Sequence, residues 1–264
     1  MSELPPDARA SATRGHARMV EQRIVGINAC LAAFSHRPQD LRKLWLTADR
    51  QQILRPMLGW CVKNRIGYRV VDAMEIERIS GSVHHEGVCA AFLRKPQGGL
   101  ASLLRALPTG PVLLLWFEGV GNPHNLGAVL RSAAHFGVAG VLLSQDDPLS
   151  LSPSAMRVAE GGAEVIPVLR LQHRDEALAQ LRSAGFVVAA TMPNDAESLY
   201  TAPLPERVVL WLGAEGAGLP SPARSSADMR IRIPGTGAVE SLNVSVAAAV
   251  LAGEWYRRYR VGAS

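Results

Sequence analysis

Residues Ile231–Tyr256 read IRIPGTGAVESLNVSVAAAVLAGEWY. Ile231–Pro234 is a short apolar approach. Gly235-Thr236-Gly237 is an elbow where glycine tolerates positive φ and lets another molecule come close to bare backbone. Ser241-Leu242-Asn243 then opens a helix, because Val244, Ala247, Ala248, Leu251 and Trp255 recur every three to four residues. Two small polar side chains therefore stand between a glycine loop and a helix start. Capping alone explains Ser and Asn there, and so does a ligand site. Other stretches bear on the choice.

Upstream of this segment the pattern alternates. Val112–Phe117 (VLLLWF) is a continuous apolar run, suited to a strand buried on both faces. Further strands are expected at Gly140–Leu143, Val165–Val168, Val187–Ala190 and Val208–Leu212. Helices are expected between them, at Leu126–Phe136, Ser154–Ala159 and Arg174–Ser183. This predicts a mostly parallel sheet covered by helices over residues 111–264. The first third is a smaller α/β unit, residues 21–94. It has helices at Val25–Phe34, Gln51–Lys63 and Ala73–Ile79, and strands at Leu44–Thr47, Tyr68–Val71 and Val88–Leu93. Residues 95–110, with Pro96, Gly98, Gly99, Pro108 and Gly110, read as a linker around one short helix. Residues 1–20 lack periodicity and read as a mobile tail.

The chain has 264 residues, 48% of them hydrophobic and 19% charged, which excludes a disordered protein. No apolar run reaches the ~20 residues of a membrane span. No signal-peptide pattern opens the chain, so a cytoplasmic location is expected. Cys30, Cys61 and Cys89 are odd in number and far apart, which argues against a disulfide framework or a zinc site. The net charge is +5; residues 21–94 carry 11 Lys/Arg against 7 Asp/Glu, whereas residues 95–264 are balanced at 14 each. An excess concentrated in the first third fits either a solvated basic surface or a footprint for a polyanion.

Two more stretches can carry chemistry. In Asn122–Arg131 (NPHNLGAVLR), Asn125 can cap the helix, and Gly127, Arg131 and His135 fall along one line of its surface. Gly127 leaves room for a ligand beside Arg131, whose fork of donors can hold a phosphate or ribose oxygen; a surface Arg is the alternative. In Leu212–Pro220 (LGAEGAGLP), three glycines and Glu215 directly follow a strand, where ligands of open α/β sheets gather. Other patterns fail. Glu118-Gly119-Val120-Gly121 lacks the third glycine of a dinucleotide fingerprint, which falls at His124. There is no phosphate-binding GxxxxGK[ST], no HExxH and no GxSxG.

Three motifs now stand in order: NxGxxxR (Asn125, Gly127, Arg131), LGxExxGL (Leu212, Gly213, Glu215, Gly218, Leu219) and IPxxGxxxSLNVSxA (Ile233, Pro234, Gly237, Ser241, Leu242, Asn243, Val244, Ser245, Ala247). Together they resemble the SpoU/TrmH family, RNA methyltransferases of the SPOUT superfamily. Val25–Ala29 and His85–Val88 resemble that family's amino-terminal substrate-binding domain, which is similar to ribosomal protein L30e. The stretches HHEGVC, NPHNLG, AEGGAE and GTG look closest to the YfiF-type branch of tRNA/rRNA methyltransferases.

The resemblance implies S-adenosylmethionine as methyl donor, 2′-O-methylation of a ribose in tRNA or rRNA, and a homodimer. It implies an α/β fold whose carboxy-terminal domain is a SPOUT α/β-knot, a deep trefoil knot with a mostly parallel sheet, after a small L30e-like domain. No metal is implied. Carried over by position, Gly213, Ile233 and Leu242 contact the cofactor through backbone; Leu212, Gly218, Gly237 and, more loosely, Thr191 complete its site. Arg131 binds the 2′-hydroxyl and neighbouring phosphate, while Asn125, Glu215, Ser241 and Asn243 fix it by hydrogen bonds. Gly235 stands where many members carry Met, giving a more pliable elbow. Two rival readings are a non-catalytic RNA-binding protein retaining the knotted fold and a nicotinamide-dependent oxidoreductase. Deleting residues 1–94 is expected to flatten the salt dependence of RNA binding and to leave cofactor binding intact.

Overall fold

The computed structural model of the chain describes residues 20–95 and 98–261. The mobile tail expected for residues 1–20 lies outside them, apart from Val20.

The first sheet combines β1 (Glu21–Val25), β2 (Leu41–Leu46), β3 (Gly67–Val70) and β4 (Val88–Leu93) in the order β1-β4-β2-β3. β4 is antiparallel to β1 and β2, and β3 is parallel to β2. Side chains alternate across a strand, and both faces are used. Ile24, Leu44, Leu46, Ala90 and Phe92 pack with Cys30 of α1 (Ile27–His36) and with Met57 and Cys61 of α2 (Arg55–Asn64). Val25, Trp45, Cys89 and Ala91 pack with Ile76 of α3 (Ala73–Ser80) on the other face. β1 is a departure from the expected elements. The sequence expectation runs a helix from Val25, but Val25 ends a strand. Gly26, at a φ of 90°, turns the chain so that α1 starts at Ile27.

After α4 (Leu100–Ala106), the second sheet contains β5 (Val112–Glu118), β6 (Gly140–Leu143), β7 (Val168–Arg170), β8 (Val187–Thr191), β9 (Glu197–Ser198), β10 (Arg207–Gly213) and β11 (Met229–Arg232). Their order is β7-β6-β5-β10-β8-β11-β9, and every pair is parallel. Such a sheet must be covered on both faces. On one side, Leu113, Leu115, Phe117 and Leu210 meet α5 (Pro123–His135) and α10 (Val244–Tyr259). On the other, Leu114, Trp116, Val209 and Trp211 meet Leu100 of α4, Leu178 and Leu181 of α8 (Arg174–Ser183), and Ala223 of α9 (Ser221–Ser226). Trp116 and Trp211 are register partners whose rings stack at 4.1 Å.

Between β6 and β7 lie α6 (Pro153–Val158) and α7 (Gly162–Val165). A strand was expected at Val165–Val168. Instead Val165 ends α7, and the strand starts at Val168, after Pro167, which has no N–H to donate to a ladder.

α6 and α7 carry the first sheet's domain. Met156 of α6 is buried in the first domain's core. Glu164 of α7 meets Arg37 in a bidentate pair at 2.8 and 2.9 Å, with the two side chains only 2% and 5% exposed, and meets Lys95 at 2.8 Å. Burial alone would raise the Glu164 carboxyl, but the hydrogen bonds from Arg37 and Lys95 outweigh it and hold it below its ordinary value.

Candidate active site

A pocket of about 480 Å³ opens at the carboxyl ends of β8 and β10, closed by the 213–219 loop, the 233–243 loop and the start of α10. Thr191, Leu212, Gly213, Gly218, Ile233, Gly237, Leu242, Glu215 and Ser241, all expected site residues, line it. Thr191 is tied down by a hydrogen bond from its Oγ1 to the Trp211 carbonyl at 3.0 Å.

Motif spacing alone does not reveal why glycine is needed at these places. A Cβ at Gly213 would overlap the Gly218 carbonyl carbon, so this glycine is demanded by the loop folding back on itself rather than by a ligand. Gly218 and Gly237, at φ of 65° and 83°, are needed for conformation instead. A Cβ at either of them, or at Gly235, would meet no protein atom within 4 Å.

At the pocket's edge three stretches distant in sequence converge on one atom. Glu215 Oε1 accepts from Asn125 Nδ2 at 3.1 Å, Asn243 Nδ2 at 2.7 Å and the Val244 N–H at 3.2 Å. Asn243 Nδ2 also reaches Asn125 Oδ1 at 3.2 Å. Asn243 is itself the cap of α10, accepting from the Ser245 N–H and hydroxyl at 2.9 and 2.6 Å. Glu215 thus sits at the positive end of a 16-residue helix, where a carboxylate is stabilised. The helix expected to open at Ser241 begins at Val244, and Ser241 stays in the exposed loop.

Two expectations for α5 are corrected. Asn122, not Asn125, caps it, its side chain accepting from the His124 N–H at 2.9 Å; Asn125 stands one turn inside, buried, which frees its amide for Glu215. The room beside Gly127 is filled by the chain: a Cβ there would lie 2.6 Å from both the Ala155 carbonyl oxygen and Val158 Cβ of α6. Arg131 is not brought to this pocket. It is exposed on a second cleft of about 650 Å³, between α5, the α6–α7 corner and α1.

Sequence reasoning missed Asn194, Val239 and Glu240, which also line the pocket; Asn194 lies outside the motifs, and Val239 and Glu240 fall at unspecified positions of the third one. It also passed over Glu118, which follows the β5 apolar run. Glu118 is buried, paired to Arg174, whose guanidinium lies 5.8 Å from the Trp211 ring.

A pocket of this size suits a small organic cofactor. Its apolar side (Leu212, Ile233, Leu242, Leu251) fits a planar heterocycle, and its carboxylates Glu215 and Glu240 fit cationic or hydroxyl groups. The open space over Gly218, Gly235 and Gly237 lets a ligand touch backbone. These features match an amphiphilic cation such as S-adenosylmethionine.

Comparison with known proteins agrees. The SpoU rRNA Methylase family profile matches residues 112–253, and the profile for RNA 2′-O ribose methyltransferase substrate binding matches residues 23–97. The chain is 41% identical over 242 residues to YfiF of Escherichia coli O157:H7, named as an uncharacterised tRNA/rRNA methyltransferase, a match spanning 91% of this chain and 69% of that one. It is 32% identical over 244 residues to the 23S rRNA (guanosine-2′-O-)-methyltransferase RlmB of Pseudomonas putida KT2440, spanning 91% and 98%. The SpoU methyltransferase AviRb of Streptomyces viridochromogenes, solved in complex with the cofactor AdoMet, shares the fold, with a TM-score of 0.75 at 21% identity over 92% of each chain.

Proposed function

The chain belongs to the SpoU rRNA methylase family, and from that membership we propose that it transfers a methyl group from S-adenosylmethionine to a ribose 2′-hydroxyl of tRNA or rRNA. The convergence of Asn125, Glu215 and Asn243 on one carboxylate oxygen at the rim of the 480 Å³ pocket carries the reading. When bound, the cofactor supplies an activated methyl group. The chain's own task is to hold a weakly acidic hydroxyl in line with it, which is worth up to about 7–11 kcal/mol of the barrier in the best cases.

In this reading the backbone of Gly213, Ile233 and Leu242 clasps the cofactor, with Thr191, Leu212, Gly218 and Gly237 around it. Arg131 binds the hydroxyl and the adjacent phosphate; being always protonated, it acts by orientation and charge rather than as a base. Asn125, Glu215, Ser241 and Asn243 fix the reacting groups. Because Arg131 faces a different cleft of its own subunit, the complete site is formed by two copies, one bringing its Arg131 to the other's pocket. Exposed Val239, Leu242 and Val246 beside the pocket supply apolar surface for such a contact. Residues 21–94 serve as the RNA-binding domain, residues 95–110 join the two parts, and residues 111–264 form the methyltransferase domain. The trefoil knot belongs to the same reading, supported by two facing loops that close one pocket beside a central β10. No helix among the described residues is long and apolar enough to cross a membrane, and a cytoplasmic location goes with an RNA substrate.

Subunit complementation tests the proposal. Arg131→Ala and Glu215→Ala proteins, each inactive alone, should regain part of the methyl transfer to rRNA or tRNA when co-refolded, because mixed dimers contain one intact composite site. Absence of any recovery, with dimers formed, would refute the shared site. Failure of the unaltered protein to bind S-adenosylmethionine in calorimetry would refute the enzyme reading itself.

A further inference from the structure

Moving a methyl group onto a hydroxyl leaves a proton to be removed. A carbon–oxygen bond forms at O2′, the carbon–sulfur bond of the donor breaks with its electron pair going to sulfur, and the O–H bond gives up H⁺. One sulfonium charge disappears and one proton appears, so atoms and charge balance once a base has taken that proton. Arg131 is no such base, because a guanidinium keeps its own proton. The 480 Å³ pocket offers none either. Thr191, Thr236 and Ser241 are hydroxyls, and Arg232 is a second guanidinium. Glu215 Oε1 already accepts three hydrogen bonds. Carboxylates ordinarily titrate at about 4, which makes them weak bases at neutral pH.

The cleft that exposes Arg131 holds a different kind of group. Among the described residues that line either cleft, His135 is the only imidazole, the side chain whose ordinary titration falls near neutrality. It follows Arg131 by four residues on α5, which puts their Cβ atoms about 5–6 Å apart on one face of the helix. His135 is exposed, and its ring stands edge-to-face with Phe136 at 4.8 Å. Phe136 is backed in turn by α10: its ring lies 5.9 Å from that of Tyr256, and a Cβ at Gly253 would lie 3.4 Å from it. The imidazole therefore rests on a packed support while it stays accessible to a ligand. His135 is also the last residue of the 13-residue α5, where the helix dipole favours a positive charge. The charged and titratable groups around it are Arg131 on its own helix, Glu160 at the α6–α7 corner and Tyr256 of α10, behind Phe136; Asn28, lining the cleft from α1, is uncharged. Glu160 favours a protonated ring and Arg131 opposes one, so a proton taken here is not trapped.

We propose that His135 is the general base of the reaction: an imidazole nitrogen takes the proton of the ribose 2′-hydroxyl while Arg131, one turn earlier, holds that hydroxyl and its phosphate. In the composite site both side chains arrive from the same copy, because they share a helix face. The ring then passes its proton to water. The inference rests on the ribose-methyltransferase reading and adds the proton acceptor. The test uses the full-length protein, tritiated S-adenosylmethionine and total RNA from cells lacking the gene, in single turnovers at saturating concentrations. His135→Gln and His135→Ala should lower the rate about 10²- to 10⁴-fold, with the Kd for RNA and for cofactor unchanged. The unaltered rate should level off above neutral pH, whereas the variants, left with hydroxide as base, should keep rising. Imidazole added to His135→Ala should restore part of the rate. Co-refolded with Glu215→Ala, His135→Ala should regain transfer; co-refolded with Arg131→Ala, it should not. In the cofactor-free protein, diethyl pyrocarbonate should modify His135 and total RNA should protect it, as mass spectrometry would show. A variant within twofold of the wild-type rate, a variant pH profile parallel to the wild-type one, a loss accounted for by weaker RNA binding, or recovery in the Arg131→Ala mixture would overturn the inference and leave the methyltransferase reading intact. No transfer by the unaltered protein would overturn both.

Discussion

Glu215 shows how much can depend on one atom. Replacing it with Ala strands the Asn125 and Asn243 amides and the Val244 N–H, its three donors. Of these the Asn125 amide and the Val244 N–H are buried, and an unpaired buried donor costs about 1–3 kcal/mol, so Glu215→Ala should lower Tm as well as abolish transfer. Glu215→Gln keeps a carbonyl acceptor and should retain most of the stability, as differential scanning calorimetry would show. Arg131→Ala should do the opposite, leaving Tm and cofactor affinity unchanged and lowering single-turnover methyl transfer about 10²- to 10³-fold. The motif spacings singled out these residues, yet they could not separate the roles of the glycines. Gly127 and Gly213 have their empty side filled by the chain itself, while Gly218 and Gly237 face open space. That difference lies in contacts between residues such as Gly127 and Val158, which no local pattern encodes. The cysteines were easier to place. All three are free and buried, and burial pushes the Cys89 thiol up to about 11. A thiol reagent at pH 8 should find no group in the native protein and three after unfolding.

Whole elements fix the helix that carries exposed Arg131. α5 approaches α6 through Gly127 and α7 through Gly162 so closely that backbone meets backbone. Gly127→Ala should overpack this contact and destabilise the protein by about 1–3 kcal/mol, read as a lower denaturant midpoint at unchanged slope. Apolar periodicity made most helices and the buried strands legible, because α5, α8 and β5 each expose a regular pattern to a core. It failed where tertiary contacts decide. β1 reads EQRIV, with only its last residues buried, and gains its identity from antiparallel pairing with β4. β9 has two residues and exists only through β11. At the far end of α10, hydrogen bonds from Arg257 and Arg258 outweigh desolvation and hold the Glu254 carboxyl down at about 2, against an ordinary 4.5. A carboxyl lowered on folding stabilises the native state above its ordinary value and ceases to do so as pH falls towards the folded one. The loss of stability between pH 4.5 and about 2 should therefore be shallower in Glu254→Gln, as acid titration of Tm would reveal.

For the molecule as a whole, the basic excess of residues 21–94 coincides with the stretch that the substrate-binding profile matches, residues 23–97. RNA affinity should fall linearly in log–log plots against salt, and neutralising exposed cations such as Arg42 and Lys43 should reduce that slope by about one for each phosphate no longer bound. The structure changes what truncation should do to cofactor binding. Deleting residues 1–94 would leave Glu164, 2% exposed, without Arg37, and would open Met156 to water. Breaking one buried pair costs about 3–5 kcal/mol, so the remainder should lose cofactor affinity through instability. No charge count could show this, because Arg37 and Glu164 are 127 residues apart and neither stands in a motif. The same docking has a consequence for covalent continuity. If Arg37, Lys95, Glu164 and Met156 hold the halves together, the peptide bonds between β4 and α4 are not what keeps them associated. A protein cut there by an engineered protease site should run as two bands under denaturing conditions and as one species on a sizing column. Two separately expressed halves should find each other and reconstitute a working enzyme.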